Sequence, residues 1–113
     1  MQIVKDTISL SELKELSVKI FDNFVKGVVD VDKELLALDA ELHSDLEALL
    51  LREGSQQKSL WGINLYPAME GDDFIEYDSM INLRPSQGNR SRGIENQEIR
   101  HKIVKTVTKR VKR

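Results

Sequence analysis

Apolar residues recur at spacings of three and four in three parts of the chain, which predicts three amphipathic helices. Their apolar stripes are Leu13, Leu16, Ile20 and Phe24 in the first, Leu46, Leu49 and Leu50 in the second, and Ile99, Ile103, Val107 and Val111 in the third. The first helix is expected to end near Gly27. The second is expected to end at Gly54, because glycine accepts the left-handed conformation that residues with a Cβ resist.

Hydrogen-bonding residues stand where each predicted helix begins. Ser9 with Glu12 and Ser44 with Glu47 fit capping boxes, in which hydroxyl and carboxylate satisfy free N–H groups of the first turn. Asn96 can cap the last helix. Residues 103–111 are also rich in β-branched side chains and alternate passably as a strand. The cap, and basic residues near the end that suit the helix dipole, favour a helix.

Alternation of apolar and polar residues predicts four strands, each with one buried and one wet face. The first two form a hairpin in residues 27–43 with a turn near residues 32–33. The third covers residues 61–66 and stops at Pro67, and the fourth covers residues 74–83. The predicted fold is therefore a single α+β domain over residues 1–113.

The order of the predicted elements is αββαββα. It describes a four-stranded, mainly antiparallel sheet with all three helices on one face. Ile3 and Val4 can add a short edge strand.

Composition excludes several classes of protein. Apolar residues make up 40% and charged residues 32% of the chain, an ordinary globular balance. There is no cysteine, so disulfides, thiolate metal sites and cysteine nucleophiles are excluded. No apolar run approaches the roughly 20 residues that cross a bilayer, and no signal peptide is visible. A cytoplasmic protein without a bound cofactor or metal is expected.

The net charge of −2 hides a division along the sequence. Residues 84–113 contain ten Lys and Arg against Glu95 and Glu98, whereas residues 1–83 contain seven basic and seventeen acidic residues. Such asymmetry is typical of a basic segment for an anionic partner, and equally of two halves that neutralise each other after folding. Nucleic acid is a weaker candidate partner, because exposed aromatic residues for base stacking are few.

The densest candidate site is the loop between the fourth strand and the last helix. Its candidate ligand-binding residues are Arg84, Ser86, Gln87, Asn89, Arg90, Ser91 and Arg92. Guanidinium groups bind phosphate or carboxylate with paired hydrogen bonds, and Gly88 lets the backbone come close. The spacing matches neither a Walker loop nor a dinucleotide fingerprint. The alternative is a structural loop whose arginines pair with nearby acids such as Glu76, Asp78 or Glu95.

A second candidate site is the sheet face that the predicted helices leave uncovered. Its polar residues would be Asp30, Asp39, Glu41, His43, Asn64, Glu76, Asp78 and Asn82. Carboxylates beside an imidazole can bind a divalent cation or form an acid–base pair. The weak catalytic candidates are His43, Asp45, Glu76 and Asp78, although alternating charges are what any solvated sheet face shows.

Three runs resemble a known family: residues 41–50 (ELHSDLEALL), residues 60–67 (LWGINLYP) and residues 78–92 (DSMINLRPSQGNRSR). They are similar to an uncharacterised family of small prokaryotic proteins of about 110 residues, a domain of unknown function. The resemblance implies a stand-alone domain and supplies no activity, cofactor or catalytic residue.

The leading hypothesis is thus a small non-enzymatic binding domain, whose loop 84–92 takes a phosphate, a nucleotide, a nucleic acid backbone or an acidic partner surface. The alternatives are a divalent-metal-dependent hydrolase using the acidic sheet face, and a purely structural protein that forms homodimers or larger homo-oligomers.

Overall fold

The computed structural model describes residues 1–113 and contains three α-helices and seven β-strands. In chain order they are β1 (Gln2–Val4), β2 (Ile8–Ser9), α1 (Leu10–Ile20), β3 (Val25–Asp30), β4 (Leu35–Leu38), α2 (His43–Arg52), β5 (Leu60–Leu65), β6 (Ile75–Glu76), α3 (Gln97–Arg110) and β7 (Val111–Lys112). None of the helices combines the length and the apolar character needed to cross a membrane. The α+β class, the three helices and the edge strand at residues 3–4 are confirmed.

The main sheet has five strands, in the order β1-β4-β3-β5-β6, and every neighbouring pair is antiparallel. The prediction of four strands is therefore wrong, because β1 pairs with β4 and completes the sheet. A separate two-stranded sheet joins β2 to β7 in parallel, with Ile8 opposite Val111. Arg110 reinforces this closure by donating to the carbonyl oxygens of Lys5 and Asp6 at 2.6 and 3.2 Å.

Helices lie on both faces of the sheet, so the prediction that all three cover one face is wrong. One face carries a cluster of 15 buried residues, in which Leu13 of α1 and Ile103 of α3 pack against Val29, Leu36 and Ile63. Long apolar side chains on alternate positions of every central strand make this the larger core.

The second face is covered by α2. Leu46 and Leu50 of α2 are fully buried against Val28, Ala37 and Leu60 of the sheet. Burying one leucine contributes about 2 kcal/mol, which is enough to hold a ten-residue helix on a sheet. The central strands β3 and β5 are thus apolar on both faces, a pattern that strict alternation does not predict.

The helix ends test the capping predictions. Ser9 accepts from the N–H of Glu12 at 3.1 Å, and Asn96 accepts from the N–H groups of Glu98 and Ile99, so both caps are confirmed. The helical interpretation of residues 97–110 is confirmed as well, with Val111 leaving the helix for β7.

The second helix begins differently from its prediction. Its N-cap is Leu42, which offers no side-chain hydrogen bond, and Ser44 lies inside the helix. The prediction that Ser44 caps α2 is therefore wrong, because the helix begins two residues earlier, at His43. Its end is as predicted: Gly54 has φ 101°, and Ser55 N–H bonds back to the carbonyl oxygen of Leu50 at 2.9 Å.

Two aspartates in the left-handed backbone conformation end α1 and β4 earlier than the apolar pattern predicts. Asp22, with φ 76°, ends α1 at Ile20, so Phe24 and Gly27 lie beyond the helix. Asp39, with φ 75°, ends β4 at Leu38, so residues 39–43 are not part of a strand. An aspartate reaches this conformation more easily than most residues, because its short side chain bonds locally.

The predicted strand over residues 74–83 is reduced to the two residues of β6. After it, Ser79 accepts from the N–H of Ile81 at 3.3 Å and starts a 3₁₀ turn over Met80–Asn82. The turn points the fully buried side chain of Asn82 at β5. The alternating pattern in this segment is therefore not a strand pattern.

Candidate functional site

Arg84 of the arginine-rich loop points into the protein. Its guanidinium donates to three backbone carbonyl oxygens, those of Ile81 at 2.9 Å, Gln57 at 2.9 Å and Leu60. Only 8% of the residue is exposed, and the guanidinium stacks 4.6 Å from the ring centroid of Trp61. Burial lowers the pKa of Arg84, while Glu47, 3.5 Å away, acts in the opposite direction. Arg84 is thus committed to internal contacts.

Asn89 holds the loop together from within. Its side-chain nitrogen donates to the carbonyl oxygens of Asn82, Ser91 and Gly93 at 2.7, 3.1 and 2.8 Å. Its side-chain oxygen accepts from the N–H of Glu95 at 2.9 Å. The residue therefore uses all its side-chain hydrogen-bonding groups internally and has none for a ligand.

The other loop residues remain accessible. Ser86, Gln87, Arg90, Ser91 and Arg92 are exposed. Arg92 forms an ion pair with Asp78, Nε to Oδ1 at 2.8 Å, and keeps 57% of its side chain exposed. The guanidinium of Arg90 makes no bond, although its backbone N–H donates to Glu95 at 2.7 Å. The three arginines therefore point to different surroundings.

The polar residues predicted on the uncovered sheet face lie in different surroundings in the structure. Asp30 accepts from the N–H groups of residues 32 and 33 and from the hydroxyl of Ser55, so it holds a turn. Asp39 pairs with Lys19, and Asn82 bonds to the backbone of Gly62. Glu41 and Asp45 are exposed and make no side-chain contact with the other candidates.

The four remaining residues meet at one cleft, together with Arg92 of the loop. This His43 cleft has a volume of about 360 Å³ and is lined by Lys26, His43, Asn64, Glu76, Asp78 and Arg92, among others. Its members come from β3, β5, β6, the start of α2 and the end of the loop. The structure thus brings together residues from both predicted candidate sites.

The buried floor of the cleft is formed by His43 and Asn64. His43 is 8% exposed, and its Nε2 lies 2.8 Å from the carbonyl oxygen of Ile63, which makes Nε2 the protonated nitrogen. Burial lowers the pKa of His43; the bond to Ile63 raises it, and the nearby charge of Lys26 lowers it again. The imidazole is consequently neutral at pH 7.

Both carboxylates of the cleft are already engaged. Glu76 accepts from the side-chain nitrogen of Asn64 at 2.9 Å and from the hydroxyl of Tyr66 at 3.0 Å. Asp78 is paired with Arg92. No group of three or more His, Asp or Glu side chains is arranged to hold a metal ion. The cleft therefore offers donors more readily than free carboxylate ligands.

Two features that add positive charge to the cleft could not be predicted from the sequence. Lys26 lies on β3, in a segment predicted as the end of the first helix, so its place in the cleft could not be predicted. The N-terminus of α2 lacks a capping side chain because Leu42 is the N-cap residue, and Leu42, His43 and Ser44 line the cleft. Free N–H groups at a helix start favour an anion. No residue type signalled it, because Ser44 is the cap that the sequence predicts.

The fold and the cleft define a small α+β domain with a mixed-charge cleft at the edge of its main sheet. The model of one family, described as a protein of unknown function (DUF5674), matches residues 2–110, and the chain belongs to that family. The resemblance drawn from the three sequence runs is thereby confirmed. No curated protein and no solved structure matches the chain.

Proposed function

We propose that the protein is a small non-enzymatic binding domain that holds the anionic group of a ligand in the His43 cleft. The observation that carries the proposal is that Arg92 of the arginine-rich loop and Lys26 of β3 line the same cleft as the uncapped N-terminus of α2. Two cations and a helix start thus line one cleft, beside the carboxylates of Glu76 and Asp78. Cations at a helix start are how proteins build sites for phosphate or carboxylate.

The loop contributes to this site through its C-terminal end. Arg92 keeps its ion pair with Asp78, which holds the guanidinium at the rim of the cleft, while its exposed part faces solvent. Arg84 fixes the loop to Leu60 of β5, and Asn89 fixes the loop to itself. Arg90 is exposed and does not line the cleft. A cytoplasmic location agrees with the absence of cysteine.

The proposal is tested by titration followed by amide NMR shifts, with inorganic phosphate, adenosine monophosphate and succinate as probes. We expect Arg92→Gln and Lys26→Gln each to weaken binding about tenfold, since each removes one charge-assisted contact. Arg90→Gln is the matched control, with the same loss of charge from the same loop, and should bind like the wild type. Equal weakening by all three variants, or no shifts near His43 in the wild type, contradicts the proposal.

One observation favours a second candidate function, a homo-oligomer. Leu42, Met80 and Leu83 are 54%, 63% and 44% exposed, and Leu42 and Met80 line the His43 cleft. Large apolar side chains around one cleft are typical of a protein contact. Sedimentation equilibrium of the wild type and of Met80→Ser/Leu83→Ser distinguishes the two functions, because a dimer that the variant abolishes places a second copy at this surface.

A further inference from the structure

A second and larger cleft lies on the opposite face of the sheet from the His43 cleft. This α3 groove has a volume of about 950 Å³ and runs between α3 and residues 71–77. Its wall is largely apolar, with Phe74, Ile75, Val104 and Val107 among the lining residues. Val104 is 44% exposed, unusual for a valine of an amphipathic helix whose apolar stripe is otherwise buried. The groove therefore leaves apolar surface uncovered.

Two guanidinium groups are held in place within this groove by aromatic rings. Arg100 lies with its Cζ 4.3 Å from the ring centroid of Tyr77, and its Nε donates to the carbonyl oxygen of Ile94 at 2.6 Å. Arg113 lies 4.8 Å from the ring centroid of Phe74 and makes no hydrogen bond or ion pair. Stacking fixes each planar group while leaving its terminal nitrogens as donors.

The two stacked arginines belong to different parts of the groove. Arg100 lies on α3 and stacks on Tyr77, whereas Arg113 follows β7 and stacks on Phe74. Lys112 and His101 also line the groove, and Asp72 is its one acidic lining residue. The groove thus combines apolar surface with the positive charges of Arg100, Lys112 and Arg113, which is complementary to an acidic and apolar partner.

The features of the groove favour an extended peptide over a nucleic acid. β6 is the edge strand of the main sheet and borders the groove, so an extended chain can lie beside it. A single-stranded nucleic acid needs free aromatic faces for its bases, and the rings of Phe74 and Tyr77 are already covered by arginines.

We propose that the α3 groove binds an extended segment of a partner protein that carries two acidic side chains with apolar residues between them. The carboxylates pair with Arg100 and Arg113, and the apolar residues lie against Val104 and Ile75. The inference does not depend on the anion site of the His43 cleft, because the two clefts share no lining residue.

The test is a display selection of random seven-residue peptides on the immobilised full chain, followed by fluorescence anisotropy of the selected peptides. We expect selected sequences with two Asp or Glu residues separated by apolar ones. Arg113→Gln should weaken their binding about tenfold and Val104→Glu should abolish it. Neither side chain makes a hydrogen bond inside the protein, so both variants should fold.

Lys102→Gln/Lys105→Gln is the control, since both lysines are exposed on α3 outside the groove. It removes more positive charge than Arg113→Gln and should leave peptide binding unchanged. The proposal is overturned if no acidic peptides are enriched over the Val104→Glu variant, or if the control weakens binding as much as Arg113→Gln. It is also overturned if oligodeoxythymidine binds the groove instead, or if Val104→Glu abolishes a dimer, which would place a second copy there.

Discussion

The side-chain amide of Asn82 pairs with both backbone polar groups of Gly62, accepting from its N–H at 2.8 Å and donating to its carbonyl oxygen at 2.9 Å. β6 reaches only Asn64 and Leu65 of β5, so the rest of that strand's edge has no neighbouring strand. Asn82 replaces the missing strand at Gly62, and Arg84 does so at the carbonyl oxygen of Leu60. Side chains of one loop thus complete the hydrogen bonding of the sheet edge.

Replacing Asn82 should destabilise the fold strongly. Asn82→Ala leaves the two backbone groups of Gly62 without partners and removes one of the two hydrogen bonds to the carbonyl oxygen of Arg92, which should lower the free energy of unfolding by about 3 kcal/mol. Urea denaturation measures the difference. Asn23→Ala is the matched control, because Asn23 is exposed and makes no side-chain hydrogen bond, and it should stay within about 0.5 kcal/mol of the wild type. Similar losses in both variants contradict the role of Asn82.

Gly62 should not tolerate a side chain. A Cβ added at this position would lie 2.5 Å from the Cβ of Ser79, so Gly62→Ala should cost about 1–3 kcal/mol through overpacking. Ser79→Gly removes the colliding atoms. The double variant Gly62→Ala/Ser79→Gly should therefore be more stable than the sum of the single changes predicts, by about 1 kcal/mol in a denaturation cycle. If the effects of the two changes on stability are strictly additive, the cost of Gly62→Ala does not come from the contact with Ser79.

Arg84 should matter for stability and should not tolerate replacement by lysine. A lysine keeps the charge but lacks the planar fork that reaches three carbonyl oxygens, so Arg84→Lys should lower the free energy of unfolding by about 2 kcal/mol. Arg90→Lys, the same change at an exposed residue of the same loop, should have almost no effect on thermal unfolding. If both variants melt like the wild type, the internal bonds of Arg84 contribute little.

His43 should make the stability of the protein depend on pH. Its pKa is lowered in the folded state, so the unfolded chain binds the proton first as pH falls. Stability should thus be constant above about pH 6.5 and should decrease below it, until the folded state is protonated as well. Urea titrations at pH 7.5 and 5.5 should show a smaller decrease for His43→Gln than for the wild type. His101→Gln, at the only other histidine, should keep the full decrease.

Local features of the fold could be predicted from sequence because a few neighbouring residues determine them. The caps at Ser9 and Asn96 and the glycine at the end of α2 each satisfy backbone groups within one turn. The ends of α1 and β4 could not be predicted in this way. They depend on Asp22 and Asp39 taking the left-handed conformation, which apolar periodicity does not reveal.

The candidate site could be predicted only in part, because the direction of a side chain depends on distant backbone. Arg84 and Arg92 look alike in the sequence, yet Arg84 meets carbonyl oxygens of β5 and of the turn before it, and Arg92 meets Asp78. Because β6 is so short, the carbonyl oxygens along the rest of the β5 edge need other donors. The gathering of His43, Glu76 and Asp78 likewise depends on α2 covering a face that was expected to be open.

The parallel pairing of β2 with β7 has a consequence for how the protein emerges from the ribosome. Ile8 and Val111 are about a hundred residues apart, so β2 is translated long before its partner exists. Contacts of such high sequence separation form late and slow the folding rate. The nascent chain can assemble the central hairpin of β3 and β4 early, but β2 finds its partner only after β7 has been translated.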